Sequence, residues 1–301
     1  MSLLVVGSIA FDTIKTPRGE VSDALGGSAV YFSIAASQFA PVRLVGVVGG
    51  DFDMAHVDML RSRSIDTAGL EVVGSGKTFR WTGEYSRDMN HRETLEVDLN
   101  VFEDFQPKIP DSFRDSKFVF LANGPPVTQL SVLDQVSDTP TFTVADTMDL
   151  WITTARPDLL ELISRIDGLV VNDSEAFLLT EADNMIQAGR QILELGPKLV
   201  VIKKGEHGAV LFTRGQCVPL PAYPTAAVLD PTGAGDSFAG AMMGYLAKLD
   251  RHDDAALKEA IVHGTIASSF TVEDYGTKRL AAISAEETRT RFDDYRGFLR
   301  I

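Results

Sequence analysis

Residues 228–246 read VLDPTGAGDSFAGAMMGYL: an apolar lead-in, a Pro-Thr-Gly-Ala-Gly turn, a single acid, then a run of small and apolar residues. Gly233 and Gly235 release the backbone into conformations other residues avoid and let a ligand come close. The small-residue run predicts a helix over 237–249. Its first turn carries unpaired N–H groups and a partial positive charge. Together these bind anions, phosphate above all. Asp236 stands at that start, where an acid is also a common helix cap. Cap and catalytic base are therefore both open readings of one residue. A carboxylate beside an anion hole is poorly placed to hold phosphate, because the charges repel. It is well placed to take a proton from a hydroxyl that then attacks a phosphate held in the hole. On that reading the acid serves the acceptor and the turn serves the donor.

Outward from this stretch, short β-branched runs alternate with longer helical patterns. Strands are expected at 3–9, 43–48, 118–121, 141–145, 169–172 and 199–203, with 209–212 as a hairpin partner of the last. Helices are expected at 29–39, 54–63, 127–136, 174–180, 185–195, 237–249, 254–270 and 286–298. Runs such as LVVGSI and KLVVIK are apolar at successive positions, as in strands covered on both faces. That predicts an α/β fold, a mainly parallel central sheet between helical layers. Residues 11–25 and roughly 76–100 lack helical periodicity, and the second segment reads as two extended runs joined by a polar turn near 89–91. They are expected to form a small β lid on one domain spanning 1–301.

Composition narrows the function. The 301 residues are 45% apolar and 23% charged, enough for a substantial core. A net charge of −14, with the 28 Lys and Arg scattered, disfavours nucleic-acid and anionic-membrane partners. No apolar run approaches the ~18 residues of a membrane span, and MSLLVVGSIAFDT reads as a strand rather than a leader. The lone Cys217 allows no intrachain disulfide, so a reducing cytoplasm is expected. There is no G-x-x-x-x-G-K-[ST] run, no dinucleotide fingerprint in GVVGGD and no Cys/His cluster with zinc spacing.

Asp230, Thr232, Gly233, Ala234, Gly235 and Asp236 resemble the C-terminal D-T-x-G-A-G-D signature of the ribokinase-like (PfkB) carbohydrate kinase family, with Pro231 in the second place. GGSAVYFSIAAS (26–37) is similar to the family's di-glycine signature, NDSE (172–175) to its N-x-x-E motif and KKGEHGA (203–209) to its nucleotide loop. The resemblance implies a ribokinase-like three-layer α/β/α fold and an ATP-dependent, Mg2+-requiring kinase acting on a hydroxyl of a small sugar or polyol. It makes Asp236 the base, and the amides of Gly233, Ala234, Gly235 and Asp236 the anion hole. Asn172 and Glu175 would organise phosphate and Mg2+ through water, and Lys204, Gly205 and Thr232 would line the nucleotide site. Asp12, Gly26, Gly27 and Asn123 would hold the substrate. Asp230, with the backbone at 274–276, would take a monovalent cation such as K+. Lids in this family often pair between subunits, which implies a homodimer.

Capping would also explain Asn172 and Glu175, a solvated surface would explain Lys204, and packing would explain His263. Where ribokinase binds ribose with a lysine and an asparagine, this chain has Ser28 and Tyr31. Two lost hydrogen-bonding groups discriminate strongly against that sugar. Tyr31, Phe32, Phe79 and Trp81 offer aromatic faces for a nucleobase, although Tyr31 and Phe32 also fit a buried helix face. A nucleoside kinase is thus the second reading, and a binding protein that lost turnover the third.

Overall fold

The computed structural model describes residues 2–136 and 140–300. Its strands are β1 (Leu3–Val6), β2 (Ala10–Thr16), β3 (Gly19–Gly26), β4 (Val42–Gly49), β5 (Ile65–Val73), β6 (Phe79–Tyr85), β7 (Arg92–Asp98), β8 (Phe118–Leu121), β9 (Phe142–Asp146), β10 (Gly168–Asn172), β11 (Leu199–Lys203), β12 (Ala209–Thr213) and β13 (Cys217–Leu220). Nine form one sheet in the order β13-β12-β11-β10-β9-β8-β1-β4-β5, parallel except at the β11–β12 and β12–β13 pairs. The other four form a second sheet, β3-β2-β6-β7. That lid sheet is mixed, since β2 runs parallel to β6 while the flanking pairs are antiparallel.

The helices are α1 (Ser28–Ala36), α2 (Met54–Arg61), α3 (Pro126–Gln135), α4 (Asp149–Thr154), α5 (Arg156–Arg165), α6 (Asp173–Thr180), α7 (Met185–Glu194), α8 (Ala234–Leu249), α9 (Asp254–Thr271), α10 (Lys278–Ala282) and α11 (Ala285–Phe298). Strand parity divides them into two layers. Leu3 and Val5 of β1 pack with α1, α8 and α9, while Leu4 and Val6 pack with α3, α5 and α7. Both faces are covered, which is why the central strands read as unbroken apolar runs. All nine residues of α1 are buried, as an evenly apolar helix requires. It lies backbone to backbone on α8: a Cβ at Gly244 would stand 2.7 Å from the Ala36 carbonyl oxygen, and one at Gly240 would strike that of Phe32. The small residues after Asp236 exist for this approach, which holds the start of α8 at a fixed height over the sheet.

Three expectations shift. The first strand stops at Val6 rather than residue 9, because Gly7 packs tightly on Ala122 and the chain turns up into the lid at Ala10. The edge strand β5 escapes the pattern, since its Asp66, Gly69 and Glu71 dilute the apolar signal. Helix α5 begins on Arg156-Pro157, where proline starts a helix instead of breaking one.

Candidate active site

Three parallel strands end side by side beneath α8. Val144 of β9, Val170 of β10 and Val201 of β11 all face the layer that contains α8. Two residues further on, the same face carries Asp146, Asn172 and Lys203, the last two in direct register. Carboxyl ends of parallel strands are where open α/β sheets bind ligands.

The turn above them is held by Asp230, which is fully buried. Its Oδ1 accepts from the Thr232 amide at 2.8 Å and its Oδ2 from the Gly276 amide at 3.1 Å. This ties the turn to the 274–276 loop, where the monovalent cation is expected. Gly233 has φ 74°, a left-handed conformation, and lies flat on the Tyr31 ring. It is also the N-cap of α8, so Asp236 is the third residue of the helix rather than its cap, and its carboxyl leans on its own amide. Of the four amides expected to form the anion hole, that of Ala234 already donates to Pro231 at 3.2 Å. Those of Gly233, Gly235 and Asp236 have no main-chain partner among the described residues. The cradle has three donors, not four.

Burial raises the Asp236 carboxyl above its ordinary range, opposed by Lys203 and Arg92. Asp146, 5% exposed, is pushed well up by burial and by the Asp236 charge, and its Oδ1 has no hydrogen-bond partner. Asp12 is buried in lid strand β2 against Gly26, whose missing side chain leaves room for the carboxyl. Burial, with Asp230 and Asp236 nearby, raises its pKa from 3.8 to about 8. Folding thus takes up a proton: stability is full below the unfolded pKa of 3.8 and lost as pH rises through about 8. The thermal midpoint of the ligand-free chain should fall from pH 6 to pH 8, and Asp12→Asn should flatten that fall. Equal pH slopes in the two proteins would dismiss this account.

The remaining expected residues are brought together unevenly. Asn172 and Glu175 form a reciprocal capping box at the start of α6, each side chain bonding the other's amide at 2.8 Å. That uses Glu175 Oε2; Oε1 has no hydrogen bond among the described residues, and burial raises the carboxyl. Lys204 begins the short 205–207 turn, and Gly205 is exposed with φ 53°. The Asn123 side chain is engaged within the protein, accepting from Trp151 Nε1 at 3.0 Å and reaching Met148 Sδ at 3.2 Å. Tyr31 and Phe32 are buried, and Phe32 stacks on Phe120 at 4.3 Å, so neither offers a face to a ligand. Phe79 stacks on Phe102, whereas Trp81 stays half-exposed on the lid under the Arg92 guanidinium. His263 packs among Phe39, Tyr245 and Phe292.

Five residues escape the reading of the sequence: Tyr85, Asn90, Arg92, Asp146 and Lys203. Thr232 Oγ1 donates to the Tyr85 hydroxyl at 3.1 Å and Asn90 Nδ2 donates to Glu206 at 3.2 Å, so the lid touches both the 230–236 turn and the 205–207 loop. Arg92 of β7 projects its charge toward Asp236 and Glu175. Asp146 and Lys203 were within reach, since parity from Val144 and Val201 places each on the α8 face. For Tyr85 and Arg92 no local pattern tells which lid face turns inward.

Residues 2–283 match the pfkB family carbohydrate kinase family. The chain is 31% identical over 262 residues to the cytidine kinase of Thermococcus kodakarensis, covering 83% of this chain and 89% of that one. It is 28% identical over 296 residues to the nucleoside kinase of Methanothermobacter thermautotrophicus, covering 92% and 91%. Its fold matches the structure of the nucleoside kinase of Methanocaldococcus jannaschii, with a TM-score of 0.79 at 19% identity over 97% and 98% of the two chains. The chain belongs to the pfkB carbohydrate kinase family and is a phosphotransferase acting on alcohol groups.

Proposed function

We propose that this pfkB-family kinase phosphorylates a hydroxyl of a small sugar or polyol with ATP, using Asp236 as the base. The observation that carries the assignment is the start of α8, where a carboxylate in the first turn adjoins three amides that lack a main-chain partner among the described residues. Asp236 Oδ takes the proton of the acceptor hydroxyl as that oxygen attacks. The amides of Gly233, Gly235 and Asp236 receive the charge that gathers on the phosphoryl group. Asp12, protonated at neutral pH, donates a hydrogen bond to a second substrate hydroxyl. The lid, latched at Tyr85 and Asn90, excludes water that would otherwise compete for the phosphoryl group.

Among the described residues no three His, Cys, Asp or Glu are arranged to cage a metal. Mg2+ keeps several waters and takes one or two carboxylates plus phosphate oxygens. Glu175 Oε1 is the carboxylate oxygen we assign to it, and the ion when bound would neutralise phosphate charge.

A nucleoside acceptor is the second reading. The half-exposed Trp81 ring on the lid and the replacement of the ribose-binding pair by Ser28 and Tyr31 favour it. Sugars, inositols and nucleosides assayed with ATP for ADP formation decide between the two: a nucleoside turned over ahead of every free sugar or inositol would replace the first reading. The lid's outer strand β7 exposes Leu95 and Val97 (44% and 48%), and a second copy of the chain is the partner we assign it. Val97→Asp should then halve the mass seen by light scattering, and an unchanged mass would exclude that pairing. With one cysteine and no intrachain disulfide possible, we place the enzyme in the cytoplasm, which cell fractionation tests.

A further inference from the structure

Lys203 is oddly placed for a cation. It closes β11 on the face toward α8, and its Nζ stands 2.7 Å from where a Cβ on Gly235 would be, over the first turn of that helix. A helix N-terminus repels positive charge, and three amides of that first turn lack a main-chain partner among the described residues. A half-buried lysine near Asp146, Glu175 and Asp236 would ordinarily close onto one of them. Yet among the described residues its ammonium forms no ion pair within 4.0 Å and no hydrogen bond. The nearest acids act on it through space, and Asp146 leaves its buried Oδ1 without a partner. An ammonium brought against the first turn of a helix marks a place where an anion would satisfy both.

We propose that Lys203, rather than Lys204, grips the terminal phosphoryl group in transit, completing the three-amide cradle of α8. The assignment rests on the kinase reading of this site. Binding separates it from that reading. The full chain is titrated by calorimetry with ADP and with a non-hydrolysable β,γ-imido ATP, both with Mg2+. Because the lysine meets the terminal phosphate, Lys203→Met should weaken the triphosphate about tenfold or more, the size of a lost charged hydrogen bond, and ADP by no more than about twofold. Lys203→Arg should recover most of the loss, and any loss in Lys204→Met should fall equally on the two nucleotides. Turnover of the best acceptor should fall by about 10²–10³-fold in Lys203→Met. Should Lys203→Met not fold, Lys203→Gln is judged by the same measure. Equal losses for both nucleotides, no loss for the triphosphate, or the same selective loss in Lys204→Met would each overturn the assignment. A native chain that binds neither nucleotide overturns the kinase reading and this assignment with it.

Discussion

Asp236→Asn is expected to lower kcat by about 10²–10⁴-fold, the usual contribution of a positioned general base, while leaving ATP bound as tightly as before or more so. The two halves follow from one geometry. The side chain is not the N-cap of α8, and its contact with its own amide is one an asparagine oxygen also accepts, so the fold should nearly keep its thermal midpoint. Its charge lies beside the amides that receive phosphate, where a carboxylate repels the nucleotide and an amide does not. The carboxyl, raised by burial and drawn back by Lys203 and Arg92, must be ionised to work. The native kcat/KM should accordingly decline on the acid side, and the residual rate of the asparagine variant should lose that limb. Turnover within tenfold of native, measured as ADP formation on the best acceptor, would remove Asp236 from the chemistry.

Gly233→Ala should be nearly as damaging by a different route. A non-glycine residue at φ 74° carries a cost of about 1–2 kcal/mol. The added methyl would also strike the face of the Tyr31 ring, which is 1% exposed and cannot retreat. Overpacking of that kind adds about 1–3 kcal/mol. The turn must shift to relieve it, and the amides of 233, 235 and 236 shift with it. We expect a fall of several degrees in thermal midpoint, by the scaling of roughly 2–4 °C per kcal/mol for chains of this order. Turnover should fall by about 10²-fold or more. The same exchange at Gly297, where a Cβ meets nothing within 4 Å, should be neutral or slightly stabilising. A Gly233→Ala protein that melts and turns over like the native chain would show that the turn is not under the constraint described.

Local features carried much of this molecule into view. Apolar runs without alternation announced strands covered on both faces. Four short motifs in order announced the family. Elements with mixed chemistry did not show. Strand β5 lies at the sheet edge with one side toward water, and α5 opens on a proline that mimics a break. Among site residues, Asn172 and Glu175 were legible because the capping box is itself a local pattern. The choice between Lys203 and Lys204 was not, because motif spacing points to the loop while strand parity points to the residue before it.

By itself, then, the sequence determined the layers, the lid segments, the turn at 230–236 and the identity of its acid, since each depends on propensities within a few neighbouring residues. The tertiary structure decided which groups share the cleft. It buried Tyr31 and Phe32, tied Asn123 to Trp151, withdrew one amide from the cradle and brought Asp146 and Lys203 beneath it. Those outcomes depend on how strands far apart in the chain align in register and on which face each turns to α8, and no local pattern contains either.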